Sequence, residues 1–417
     1  MTILRVLLLL GMGIVIIPAV AGEVAPGTVI EASSWDALKG QTFENHRISD
    51  LVPAGLEVLV REHGLKLPLR HSAPIELDPR YWSLTEQYAG QVNYDAATRS
   101  VSGYVSGLPF PDVQKNALSS SDGEAAATKL IWNFFYANPQ FGNTYEFNDG
   151  TIILIDGKRG IERAIKTMDK KFRMVGRLTE PYALGDGAVY KKQVTMLLAP
   201  YDVRGLGTYF VRYTDGRPDD SYAYIKSVRR VRRLSGRTWM DPVGPSDILN
   251  DDNDVLDVYP TWYKRYNVLE ETTILAVPHG PATGPHELKQ WLDYENAPYW
   301  NPVGLEWEPR QVYVIEATPP STHLYGKKLL YMEKEFPIFY MSDISDIKGN
   351  RWKVFVKTYH PTTAEESQGK GIAPSGGFIV DLQRYHATFI DGVGFKMNDP
   401  KATEDDYSLT AIQKMLR

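Results

Sequence analysis

Five aspartates within eleven residues (Asp247, Asp251, Asp252, Asp254 and Asp257) form the densest set of side chains able to hold a cation or move a proton. A helix–loop–helix calcium site needs alternating oxygen ligands, Gly at its sixth position and Glu at its twelfth. Counted from Asn250, those positions hold Val255 and Thr261, so this spacing is rejected. The segment reads as an acidic loop that caps a helix or pairs with nearby arginines. A glycosidase-like carboxylate pair stays open as well, because its partners need only meet in space. Eight histidines (46, 63, 71, 279, 286, 323, 360 and 386) are scattered without close metal spacing. His286-Glu287 starts like a zinc-protease motif, but the position four residues on is Gln290. There is no G-x-S-x-G elbow, no phosphate-cradling loop and no cysteine. No catalytic residue, metal or cofactor is expected on these grounds.

The second unusual feature is basic. Read as one strand, Tyr222 to Arg233 alternates faces, with Tyr222, Tyr224, Lys226, Val228, Arg230 and Arg232 on one side. Ala223, Ile225, Ser227, Arg229, Val231 and Arg233 occupy the other. Both faces become cationic toward the C-terminal end, and the acidic loop downstream is the expected partner. The alternative is that Arg229, Arg230, Arg232 and Arg233 contact an acidic partner or an anionic headgroup.

The elements that must position these residues are mostly strands. Arg5, a short apolar run, Pro18 and Ala19-Val20-Ala21 have the pattern of a cleaved secretory signal over residues 1–21. Residues 22–417 then read as one large domain, with a helical N-terminal segment to about 140 and a strand-rich body over about 145–391. Asp122 is expected to cap a long helix that Asn138-Pro139 stops. Strands are expected at 151–155, 161–167, 172–178, 189–198, 207–213, 222–233, 268–277, 311–317, 327–335, 351–359 and 376–389. A long loop rich in Pro and Trp covers about 279–309, and a short helix is expected at 407–416. No helical run recurs between strands, so a parallel α/β sheet is excluded and a large antiparallel sheet expected. The 12% aromatic content, with 25 Tyr and 9 Trp, suits such a sheet. A net charge of -5 argues against nucleic-acid binding. Absence of cysteine excludes disulfides and thiolate chemistry.

An ordered series of short motifs carries a resemblance. It runs through Gly107-Leu108-Pro109-Phe110-Pro111, Glu124-Ala125 and Ile131-Trp132-Asn133. Gly205-Leu206-Gly207-Thr208-Tyr209-Phe210, Gly216-Arg217-Pro218-Asp219-Asp220-Ser221, Arg229 to Arg233 and Gly244-Pro245-Ser246-Asp247 continue it. Over about residues 30–417 the chain resembles the uncharacterised branch of proteobacterial envelope proteins known as outer-membrane lipoprotein-sorting proteins. It departs from them at Lys226-Ser227, where an apolar residue or Pro is usual. The resemblance implies an α+β, mainly antiparallel fold similar to LolA and LolB: a strongly curved sheet forming an incomplete barrel, with helices on its concave side. It further implies company with RND-type exporters and an outer-membrane β-protein, and brings no catalytic residues.

A half-barrel with apolar lining would hold a hydrophobic molecule. The lining candidates are Val194, Met196 and Leu198, then Tyr209 with Val211, and Tyr222 with Tyr224; ordinary core is the alternative for each. The expected function is therefore non-enzymatic binding or shuttling of lipid or another hydrophobe by a soluble periplasmic protein that touches the membrane at most peripherally. Two alternatives remain: an accessory subunit of an exporter or outer-membrane complex acting by protein contacts, and a hydrolase using carboxylates of 247–257 or the Trp-rich 291–309 region. An apolar tunnel would favour the carrier, and a packed interior the accessory subunit.

Overall fold

The computed structural model describes residues 22–137, 141–225, 230–281, 287–365, 368–392 and 395–415. The secretory signal, the Asn138-Pro139 helix stop, Lys226-Ser227, Arg229 and His286 lie outside the described residues. The body is one antiparallel sheet of 14 strands. Its first half is a meander of β1 (Thr144–Asp156), β2 (Gly160–Arg173), β3 (Val189–Ala199), β4 (Leu206–Tyr213), β5 (Asp220–Ile225) and β6 (Arg230–Arg233). A second meander follows, with β7 (Arg265–Ala276), β8 (Glu308–Thr318), β9 (Tyr325–Glu333), β10 (Phe339–Asp346), β11 (Arg351–Thr363), β12 (Lys370–Asp381) and β13 (His386–Asp391). The halves join where β13 pairs with β1, and β14 (Phe395–Met397) adds to the other end of β1. The order is β6-β5-β4-β3-β2-β1-β13-β12-β11-β10-β9-β8-β7, so β6 and β7 are its ends and the sheet does not close.

Chain reach shows that the sheet is strongly curved. Asp252 binds Lys328 of β9 at 2.6 Å, while the Asp257 carbonyl accepts from Arg212 of β4 at 3.2 Å. Those strands are eight steps apart in the sheet, about 38 Å if it were flat. Five residues of chain span at most about 18 Å. The strands must curl around the acidic segment, which therefore lies on the concave side.

Alternation along the strands sorts the two faces. Lys328 and Leu330, or Phe355 and Lys357, point inward; Val312, Val314, Tyr331, Val354 and Val356 point outward into a separate core. On the concave side sits α3 (Gly123–Ala137), whose Ala127, Leu130, Ile131 and Phe134 pack with Tyr313, Leu330 and Phe339. Asp122 Oδ1 accepts from the Ala125 amide at 2.9 Å, which satisfies one of the helix's orphan donors. Another face carries Trp132, Phe135 and Tyr136 against Tyr190 and Tyr259, so from Leu130 onward the helix is buried on all sides.

Shorter helices cover the outer face, among them α1 (Ala54–His63) and α2 (Pro79–Gln87). A Cβ on Gly55 would lie 3.2 Å from Val354 Cγ2 and 2.9 Å from Asp343 Oδ2. Glycine thus lets α1 settle directly on β11. The Trp-rich segment joins the same layer, with Trp291, Trp300 and Trp307 buried. Four strand expectations are corrected. Residues 161–167 and 172–178 are not two strands but one, Gly160–Arg173, which ends before 174. Residues 222–233 form a hairpin rather than one strand, with Tyr222 opposite Arg233. The 376–389 stretch is two strands with a turn at 382–385. Finally β10 was not expected; its Ser342 and Asp343 are both buried, and Asp343 is held by Arg351 at 2.9 Å.

Candidate functional site: a charged interior and a covered apolar face

The concave interior holds the acidic segment. All five aspartates are buried, none more than 5% exposed. Asp257 meets Lys191 of β3 at 2.9 Å and Arg212 of β4, which also grips Asp219 at 2.8 Å. Asp254 bridges Lys171 of β2 at 2.5 Å and Lys357 of β11 at 3.1 Å. Asp252 accepts from Lys328 at 2.6 Å and from the Tyr325 hydroxyl at 2.6 Å. Asp251 accepts from Tyr263 at 2.6 Å. His323 Nδ1 accepts the Tyr325 amide at 2.9 Å, so its Nε2 carries the proton and faces Asp251 at 3.3 Å. Asp247 binds His386 Nδ1 at 2.6 Å and the Thr388 hydroxyl at 2.8 Å; its carbonyl accepts from Lys353 at 2.5 Å.

The electrostatics follow from this crowding. Burial would raise the Asp257 carboxyl, but Arg212, Lys191 and Lys171 outweigh it and hold it at about 2. Asp254 is held far below the usual range in the same way, by Lys171 and Lys357 against burial. Lys191 is pushed down to about 8 by burial, with Arg212 and Lys171 adding to the effect against Asp257. Two cations share the Asp257 carboxylate, and Lys191 is the weaker competitor. His386 is raised by its hydrogen bond to Asp247, against burial. Within this segment Val255 adopts φ 75° and Asp254 φ 53°. A left-handed β-branched residue is strained and persists only where its surroundings over-determine it. Here the charge anchors on both sides do so.

This interior is filled. Among the described residues, the acidic segment does not pair with the arginine hairpin as expected. Its charged partners are lysines from distant strands together with Arg212, His323, Arg384 and His386. Of the hairpin, Arg230, Arg232 and Arg233 are exposed, and Arg233 pairs with Asp220 of its own hairpin. Asp220 is not part of the acidic segment. The carboxylates of 247–257 are all buried; in 291–309 Glu308 is buried while Glu295 and Glu306 are exposed, and the three tryptophans there sit in the outer-face core instead of a cleft. His279 binds Glu308 at 3.0 Å. The lysines are what sequence reasoning missed. Lys353 and Lys357 sit four apart in a Val-Phe-Val strand, a spacing that places both on one face. That signal could have placed them opposite the aspartates.

The seven expected lining residues do gather on one face, but on the outer one. On β3, Lys191 and Gln193 point inward, and Val194, Met196 and Leu198 outward. Val194 and Tyr222 both pair with Tyr209, and Met196 and Tyr224 both flank Gly207. With Val211, Met168 and Phe172 they form one apolar cluster. Leu198 and Tyr222 are half-buried and the other five are buried. Their cover is the C-terminal segment. Tyr407 packs on Phe172 with ring centroids 5.0 Å apart and donates to Glu146 at 2.6 Å. Ile412, on α4 (Leu409–Met415), is fully buried over Gly207. A Cβ on Gly207 would lie 3.5 Å from Ile412 Cγ2 and 3.3 Å from Met196 Cγ, so glycine leaves the hollow in which Ile412 sits.

No curated protein matches the chain. Among solved structures it is similar to a domain named for outer membrane lipoprotein sorting from Vibrio parahaemolyticus, at 15% identity and TM-score 0.48, covering 69% of this chain and 98% of that one. A DUF1329 family protein from Desulfovibrio piger gives 15% identity and TM-score 0.48, covering 70% of this chain and 100% of that one. A LolA superfamily protein from Nitrosomonas europaea gives 12% identity and TM-score 0.40, over 68% and 98% of the two chains. The model of a family described as a protein of unknown function (DUF1329) matches residues 42–413, nearly the whole chain, and the protein belongs to that family.

Proposed function

We propose that this protein is a non-enzymatic binding protein of the periplasm that holds or shuttles a lipid or another hydrophobic molecule. Its seat is the outer face of β2–β5, and α4 is a displaceable cover. One observation carries this reading: an apolar face from Met168 to Tyr224, interrupted by Lys170 and Lys192, is covered by the C-terminal segment, whose Tyr407 and Ile412 are buried on it. The resemblance to envelope sorting proteins and the signal-like N-terminus support the periplasmic setting. Magnitudes favour displacement. Burying one such side chain is worth about 1.5–3 kcal/mol, whereas an acyl chain gains about 0.8 kcal/mol per CH2, or about 10 kcal/mol for a myristoyl-sized tail. A seven-residue helix has little stability of its own, so a chain of that size can take its place.

The absence of cysteine gives a clean test. A Gly207→Cys, Ile412→Cys pair would bridge α4 to β4 when oxidised. Fluorescent fatty-acid binding is expected to disappear on oxidation and return on reduction. Equal binding in both redox states would overturn the lid, and no binding by the unmodified protein would overturn the carrier.

A second reading has its own observation. The concave interior is filled by buried ion pairs, as suits an accessory subunit of an RND-type exporter or outer-membrane complex acting through protein contacts.

A further inference from the structure

Antiparallel connectivity sends every second turn to the same end of the sheet. The turns at 157–159 (β1–β2), 200–205 (β3–β4), 319–324 (β8–β9), 347–350 (β10–β11) and 382–385 (β12–β13) share one end. That end collects exposed apolar side chains: Tyr201 is 92% exposed, Ile347 73% and Leu324 50%, each in a turn. Leu206 and Ile161 begin adjoining strands there and are also exposed. At the opposite end, the turns at 174–188, 214–219, 334–338 and 364–369 carry no exposed large apolar side chain among the described residues, although Leu234, just past β6, is 37% exposed. Nothing in a turn's own geometry requires a bare Tyr or Ile at its tip, where small polar residues would serve.

The same tips are cationic. Lys158, Arg159, Arg204, Lys348 and Arg384 are exposed in these turns, and Arg230 opens β6 beside them. The acids nearby are largely engaged. Asp156 and Asp346 accept from the Lys158 and Lys348 amides of their own turns, Asp202 pairs with Arg163, and Glu162 lies 3.3 Å from His386. Aromatic and aliphatic tips set among Lys and Arg match a membrane interface. The rings and aliphatic chains enter the headgroup layer, and the cations meet lipid phosphates. A protein partner would instead require a continuous surface, whereas separate protruding tips suit a soft one.

We propose that this end of the half-barrel is a docking surface for an anionic lipid bilayer, with Tyr201, Ile347 and Leu324 inserting and Arg204, Lys348 and Lys158 pairing with phosphates. The proposal goes beyond the cargo reading and does not depend on it.

Vesicle flotation of the unmodified protein tests it, using phosphatidylcholine with about one quarter phosphatidylglycerol against phosphatidylcholine alone. Binding is expected only to the anionic vesicles and is expected to fall with salt. Tyr201→Ser with Ile347→Ser, and separately Arg204→Glu with Lys348→Glu, should each weaken it by about tenfold or more. Leu118→Ser with Lys115→Glu, exposed beside Gln114, which bonds the Glu333 and Lys334 carbonyls at the opposite end, should leave it unchanged. No vesicle binding, equal binding to both lipid compositions, or rim variants that bind like the unmodified protein would each overturn the proposal. Fatty-acid binding measured on the same variants is expected to stay intact, which separates loss of docking from loss of the cargo seat.

Discussion

At the scale of residues, the interior is a balance of buried charges, and its pH response follows from the shifts. Asp257 is held at about 2, and Asp254 and Asp251 are also lowered. A carboxyl lowered by folding stabilises the native state above its unfolded value of about 3.9 and loses that contribution as pH falls through the folded value. Stability is therefore expected to drop steeply between about pH 4 and 2. Lys191 acts with the same sign in an alkaline window. Its folded value of about 8 lies below the ordinary one, so the native state holds fewer protons than the unfolded chain between the two, and stability rises with pH over that window. Denaturant titrations across pH should show both slopes, and Lys191→Met should remove the alkaline one. Asp257→Ala leaves Lys191 and Arg212 buried around a missing carboxylate and is expected to cost about 3–5 kcal/mol at neutral pH. A cost below about 1 kcal/mol would mean that the cluster is hydrated instead of dry.

At the scale of elements, the cover is the part most open to manipulation. Ile412→Ala removes most of the side chain that seats α4, so opening becomes easier by about 1–3 kcal/mol. If cargo binding requires an open cover, apparent fatty-acid affinity should rise by about tenfold; unchanged or weaker affinity would assign Ile412 to the seat itself. The long strands and α3 were legible in the sequence because Asp122, the apolar run after it and the Val/Ile/Tyr alternation are local signals. The curled fold was legible only through the ordered motif series, since no local pattern encodes curvature. The hairpin at 222–233 was not legible, because its sequence runs on from Tyr222 to Arg233 with no Gly, Pro, Asn or Asp to mark a reversal. The apolar alternation grouped Val194, Met196, Tyr209 and Tyr222 correctly onto one face, but alternation cannot say which face is concave. That was decided by Lys191 and Arg212, whose partners lie in a loop many residues away.

At the scale of the whole molecule, the half-barrel here wraps around its own acidic segment, which ties β4 to β9 across the concavity. The curvature and the plug depend on each other: the strands supply lysines from both flanks, and the aspartates draw those flanks together. The proposed cargo seat on the outer face of β2–β5 and the proposed membrane-docking end would then be two surfaces on one frame. The most direct test of the cargo proposal is native mass spectrometry of the protein recovered from cells that express it, followed by solvent extraction. The expected result is a stoichiometric apolar adduct that the oxidised Gly207→Cys, Ile412→Cys form fails to carry. A bare mass in every preparation, with no fatty-acid uptake, would contradict it and leave the filled interior to be explained by protein contacts.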